Sequence, residues 1–309
     1  MPLIEPIGRM VSGLVAEMVL AGLWRTGRLL AKDDGKHASI DRTLAFLTVL
    51  AHSLPRGDGE QRQPGISVNA MALSFNLPFE TTRRHVGVLL ADGWCERISS
   101  GIIVNDTVLA EPATQECIDD LHDLMVWLVE QFQLLDLPLP SARATVCATR
   151  ETVTLSAVEL ILAAIDFGKV GFRNLREFYI VHAVVAGSIR KVTFDPSLSR
   201  KFSDASTLPP QHLRRGVNVH RLAGLLTLPP VTTYRHVNRA IQSGKLERCP
   251  GGVRAAQSYL ATPKIHTDAR LATARAQRAF QRLASAGFAF DAPSRQYSGG
   301  RPNLPDWGQ

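Results

Sequence analysis

The chain has 309 residues, 45% hydrophobic and 6% aromatic, with a formal net charge of +7 and a pI of about 9.5. That length accommodates two compact domains with cores of their own, and the basic balance favours a polyanionic partner. The apolar stretch 10–24 is interrupted by Glu17 and too short to span a bilayer, and no secretory leader is evident, so a cytoplasmic, nucleoid-associated setting is expected.

In chain order, residues 1–9 read as a loose lead-in and 10–31 as an amphipathic helix with Val11, Leu14, Val15, Met18 and Ala21 on one face. A polar turn, Lys32–His37, leads to a helix over 40–53, and 54–64 is a loop. A short helix follows Ser67 over 68–75, Leu77-Pro78 breaks the chain, and a second helix runs over 79–91 with Thr82, Val86, Leu89 and Leu90 as its buried stripe. Gly93 stands where a helix ends in a left-handed residue, and two short strands, 94–98 and 102–105, enclose Ser99-Ser100-Gly101. An acidic helix over 114–135 carries Glu116, Asp119, Asp120 and Asp123, and 136–151 is a Pro- and Thr-bearing linker.

The order then repeats. Residues 153–170 mirror the first helix and 175–188 the second, with Ala51-His52-Ser53 answered by Ala186-Gly187-Ser188. The connection 189–215 reads as a long basic loop with Arg190, Lys191, Arg200, Lys201, Arg214 and Arg215, placed either along a phosphate backbone or in solvent. Helices at 219–226 and 230–242, strands at 245–249 and 253–256, and a basic helix over 265–286 with Arg270, Arg275, Arg278 and Arg282 complete the second copy. From 289 onward Gly, Pro, Ser and Arg predict a disordered tail. The domains are therefore expected at 1–137 and 153–288, joined by a linker at 138–152.

Laid at an offset of 151 without a gap, 65–101 and 216–252 share 14 identities in 37 positions, centred on Pro-Phe-Glu-Thr-Thr-Arg-Arg-His-Val (78–86) and Pro-Pro-Val-Thr-Thr-Tyr-Arg-His-Val (229–237). A period that long means two copies of one unit rather than a solenoid. Helix, turn, helix and hairpin in that order resemble the winged helix-turn-helix domains of bacterial transcription regulators, with Thr-Thr-x-Arg-His-Val on the recognition helix and Gly-x-x-Glu-Arg entering the wing. The flanking helices are similar to the MarR-like arrangement. The resemblance implies a mainly α fold with small β wings: two tandem winged helix-turn-helix domains with flanking helices, packed as a pseudo-dimer.

In such a domain the second helix enters the major groove and its open-side residues meet base edges and phosphates. The candidate DNA-binding residues are Glu80, Thr81, Arg83 and Arg84 in the first copy and Thr232, Tyr234, Arg235 and Asn238 in the second, with Arg254 at the second wing tip facing a minor groove. Arginine pairs with guanine, asparagine with adenine, and a threonine methyl touches thymine; Arg84 and Arg235 alternatively grip phosphate or brace the wing through Glu96 and Glu247. His85 and His236 read as packing or phosphate-contact residues. The charge is uneven, −5 over 1–150 and +12 over 151–309, so the second half is expected to supply most of the salt-sensitive grip.

The expected function is a sequence-specific transcription regulator of double-stranded DNA, reading two related, non-identical half-sites of an imperfect palindrome. A plasmid-type replication initiator and a winged-helix protein–protein module are the alternatives, and a further homodimer with four readers stays open, as does an effector. No enzyme is expected: there is no phosphate-binding glycine loop, no metal-ligand spacing, no nucleophile with a positioned base, and no cofactor motif. Cys95, Cys117, Cys147 and Cys249 have no paired spacing, and burial is the role expected of Cys95 and Cys249.

Overall fold

The computed structural model describes residues 7–31, 39–55, 64–75, 77–142, 147–226 and 228–307. Among them are thirteen α-helices and two antiparallel two-stranded sheets, so the fold is mainly α with two small β elements. The first half runs α1 (Gly8–Leu29), α2 (Ile40–Ser53), α3 (Val68–Phe75), α4 (Phe79–Ala91), β1 (Cys95–Ile98), β2 (Gly101–Val104), α5 (Asp106–Ala110) and α6 (Pro112–Leu134). The second runs α7 (Arg150–Gly168), α8 (Leu175–Phe194), α9 (Pro196–Lys201), α10 (Val219–Leu225), α11 (Pro230–Gln242), β3 (Leu246–Cys249), β4 (Gly252–Ala255), α12 (Gln257–Leu260) and α13 (Pro263–Ser285). We call α3–α4–β1–β2 the first head and α10–α11–β3–β4 the second.

The same local chemistry starts and stops the elements of both heads. Asn218 Oδ1 accepts from the backbone N–H groups of His220 and Arg221, both at 3.0 Å, and Ser67 Oγ accepts from Ala70 N at 3.1 Å, satisfying donors that a first helical turn leaves open. Thr82 and Thr233 are buried and donate their hydroxyls back to Pro78 O and Pro229 O. At the hairpin turns Gly101 and Gly252 lie at φ 143° and 140°, and a Cβ there would stand 2.4 Å from Gly65 O and 2.0 Å from Val217 O. Only glycine permits that approach, which lets Ile66 and Val217 bridge to Ile102 and Val253 as a one-residue third strand.

The halves are interleaved. Helix α1 packs on α6 of its own half and on α13 of the other; α7 packs on α13 and, across the boundary, on α6. Likewise α1 lies on α8 and α7 on α2. One buried cluster therefore draws on both halves, from Met10 to Trp307. Phe132 on α6 meets Phe280 on α13 edge-to-face at 4.8 Å. Each head hangs from this core by equivalent contacts, α2 against α4 and β2, and α8 against α11 and β4.

Two expectations from composition are corrected. Residues 189–215 are not an open basic loop: α8 continues to Phe194, α9 follows, and Ile189, Val192 and Phe202 are buried. Arg190 pairs with Glu17, Arg200 with Asp136, and Arg214 is buried, donating to Ala255 O and Gln257 Oε1. Nor are residues 289–307 a disordered tail. Phe290 and Trp307 are buried, Tyr297 Oη donates to Glu130 at 2.9 Å, Ser298 N and Gly299 N donate to Asp123, and Trp307 Nε1 donates to Glu17 at 2.7 Å. The segment is a strap over α6 that ends between α1 and α8.

Candidate nucleic-acid interface

Helices α4 and α11 each bury one stripe and leave the other open. On α4 the buried residues are Thr82, Val86 and Leu89; Glu80, Arg83, Arg84 and Gly87 are exposed and Thr81 is half-buried. On α11 they are Thr233, His236, Val237 and Ala240; Val231, Tyr234, Arg235, Asn238 and Arg239 are exposed and Thr232 is half-buried. The candidate helix residues thus lie on the solvent side or its margin.

Their bonding differs between heads. Arg83 donates twice to Glu80, Nε to Oε2 at 2.8 Å and Nη2 to Oε1 at 2.6 Å, and that hydrogen bond holds the Glu80 carboxyl below its ordinary range. On α11 the position of Glu80 is Val231, 81% exposed, and that of Arg83 is Tyr234, 43% exposed. Asn238 accepts from Arg248 Nη2 on β3 at 3.0 Å, a bond from wing to helix that the first head lacks because Gly87 stands at the position of Asn238. Arg254 is not free at the wing tip: its guanidinium pairs with Glu247 at 2.7 Å and its Nη1 donates to Gln211 O, leaving the side chain 14% exposed. Glu247 is thereby turned to Arg254 rather than to Arg235.

Charge separates the heads further. Residues 64–105 carry three basic and three acidic side chains, whereas the equivalent 215–256 carry seven and one. Arg221 and Arg239, not among the candidates, extend the basic surface of the second head; Arg239 stands one turn beyond Arg235 on the open side, a spacing that was available in the sequence. Behind α11, His236 is buried with Nδ1 unbonded, and its pKa is lowered first by desolvation and then by Arg176, Arg235 and Arg239, so it is a neutral packing group. Burial likewise lowers His85, against the pull of Asp41 and with Arg84 and Arg42 adding to the lowering.

The fourteen identities between heads sort themselves by position. Ala72/Ala223, Thr82/Thr233 and Val86/Val237 are buried, and Gly101/Gly252 makes the close turn. Two identical pairs are charged and exposed in both heads: Arg84/Arg235 and Arg97/Arg248. Neither packing nor turn geometry asks for an arginine at Arg84, Arg235 or Arg97, while Arg248 also donates to Asn238. Together they present donors on the open helix and on the adjacent hairpin.

Elsewhere the chemistry is sparse. No cluster of three His, Cys, Asp or Glu side chains suited to a metal exists among the described residues, and none of their helices is long and apolar enough to cross a membrane. Burial pushes the Cys95 thiol up to about 12 and Cys117 to about 11, which leaves them protonated and inert. A cavity of about 90 Å³ lies between α1, α7, α8 and α13, lined by Gly13, Phe178, His182 and Ala269, with His182 lowered to about 4 by burial and by Lys264. No protein family, curated protein or solved structure matches the chain.

Proposed function

We propose that the two heads are winged helix-turn-helix units of a pseudo-dimeric, sequence-specific regulator of transcription. Helices α4 and α11 would each lie in a major groove of one duplex, about one helical turn or roughly 34 Å apart. The site would be an imperfect palindrome, because the open faces differ at Glu80/Val231, Arg83/Tyr234 and Gly87/Asn238. The observation that carries this reading is the pair of arginines, Arg84/Arg235 and Arg97/Arg248, kept identical and exposed in two heads whose other identical side chains serve mainly burial and turns. The basic second head would supply most of the phosphate contacts.

The test is a gel-shift titration of the full chain on genomic fragments across a salt series, followed by footprinting of the selected fragment. The reading requires binding that weakens steeply with salt and protection of two half-sites on one face of the duplex. Salt-insensitive binding, or none, removes it; protection of a single half-site removes the pseudo-dimer. One observation favours a second reading for the first head: Leu73 and Phe79 are 73% and 51% exposed on a surface with no net charge, which suits a protein contact.

A further inference from the structure

Helices α6 and α13 occupy equivalent places in the two halves, each beginning with proline, at Pro112 and Pro263, and each 23 residues long. At the 151 offset, Leu124, Trp127 and Gln131 on α6 correspond to Arg275, Arg278 and Arg282 on α13. The first three are buried. Phe194 of α8 lies 6.1 Å from Trp127, and the strap passes over the same face, where Tyr297 donates to Glu130 and Arg301 pairs with Glu130 at 3.1 Å. The chain thus covers α6 with its own segment, an aromatic and an arginine set against acidic Glu130 and Asp123.

Among the described residues, none covers the matching face of α13. Between it and α7 runs an open groove of about 1090 Å³ whose floor includes Leu155 and Ala163. Arg275, Arg278 and Arg282 are exposed along its rim. Only Arg282 has a carboxylate partner, Glu159; Arg275 and Arg278 have none among the described residues. The groove is the charge-reversed counterpart of the strapped face. We propose that it docks an acidic, amphipathic segment of a partner protein, carboxylates on the arginine rim and apolar side chains on the floor. A second copy of this chain does not fit: its own groove is equally basic, and Asp119 and Asp120 of α6 are already held by Arg150 and Arg25. A duplex would meet the rim arginines and leave the apolar floor unfilled. The proposal does not depend on the heads reading DNA, since α11 packs on α8, α10 and β3.

The test uses the full chain and two fluorescein-labelled peptides of equal charge, one of glutamate and leucine at helical spacing, the other of glutamate and serine. Anisotropy should show the glutamate–leucine peptide binding about tenfold more tightly than the glutamate–serine one, and the double substitution Arg275→Glu/Arg278→Glu weakening it about tenfold or more. Both arginines are exposed, so the variant should keep the native circular dichroism spectrum. Failure of the glutamate–leucine peptide to bind, equal binding of the two peptides, or indifference to the charge reversal each overturns the proposal. So does a loss of duplex binding in that variant as large as in Arg235→Glu, which would make the groove a phosphate surface instead.

Discussion

The two heads share a scaffold and differ in surface. Each has a short helix, a proline-led second helix and a glycine-turned hairpin, with Ala72/Ala223 and Val86/Val237 buried in the same places. Outward, the first head is charge-balanced and ties Arg83 to its own Glu80, while the second carries six more basic than acidic residues and sets Tyr234, Arg235 and Arg239 in solvent. Positions that hold the fold tolerate little change, because a buried group must keep its volume and its hydrogen bonds; open positions are free to diverge. The difference between the heads therefore lies in their open faces. It also requires that the interior be common property, and that is where the largest effects are expected.

Phe280→Ala opens the contact with Phe132 where α13 and α6 meet, and should cost about 3–5 kcal/mol. Because α1 and α7 each pack across the boundary, urea unfolding followed from either head should shift together. Transitions that separate would make the halves independent, and the comparison would then be between two proteins on one chain.

Glu17 is the next largest. It is 1% exposed, binds Arg190 and Trp307, and its carboxyl is pushed up to about 7, by burial first, against the pull of Arg190 and the Trp307 hydrogen bond. A carboxyl whose pKa rises on folding binds its proton more tightly in the native chain. The contribution of Glu17 to stability is therefore fully present below the ordinary value of 4.5 and is lost as pH climbs through about 7, by about 3 kcal/mol in all. Denaturant midpoints at pH 5 and pH 8 should show that loss in the native chain and little of it in Glu17→Gln. Because Glu17 joins α1 to α8 and the strap, the loss should be seen equally by both heads.

At the surface the heads should part. Arg235→Ala and Arg84→Ala are each expected to weaken specific DNA binding by about 1–3 kcal/mol, with Arg235 the larger because it lies in the basic head. Equal losses in a gel-shift series would mean that head charge does not set the contribution of each half-site.

What was legible in the sequence was what short range decides. The bounds of α3 and α4 follow from Ser67, Pro78 and Gly93, and the buried stripe of α11 follows from Thr233 and Val237. Distant partners were not legible. The strap is a run of Gly, Pro and Ser whose order comes from Trp307 meeting Glu17, 290 residues away, and Ser298 and Gly299 meeting Asp123. By charge alone the basic run after Ile189 reads as a loop, although Val192 and Phe202 are its buried members, Arg190 pairs with the buried Glu17, and Arg200 pairs with Asp136 at the surface. The pairing of the candidate Arg254 was missed for the same reason: its partner Glu247 lies on the neighbouring strand.

The smallest expected effect bears most directly on how the heads differ. Arginine can only donate, so the Asn238 atom facing Arg248 is the amide oxygen, and the NH₂ group is left pointing to the open side as a donor. If α11 reads a major groove as proposed, a donor there would select an acceptor on a base edge: the N7 of a purine, the O6 of guanine or the O4 of thymine. Arg248→Ala frees the amide to turn over, and site selection should show relaxed preference at one base pair for about 0.5–1 kcal/mol. The reciprocal experiment is Gly87→Asn. Nothing lies within 4 Å of a Cβ at Gly87, and Arg97 occupies the place of Arg248. Asparagine is also a better helix residue than glycine, so the variant should fold at least as well as the native chain. It should give the first head the second head's preference at that single position of its half-site. Unchanged selection in Gly87→Asn, with Asn238→Ala also silent, would take the wing–helix bond out of recognition and leave the charge difference as the whole distinction between the heads.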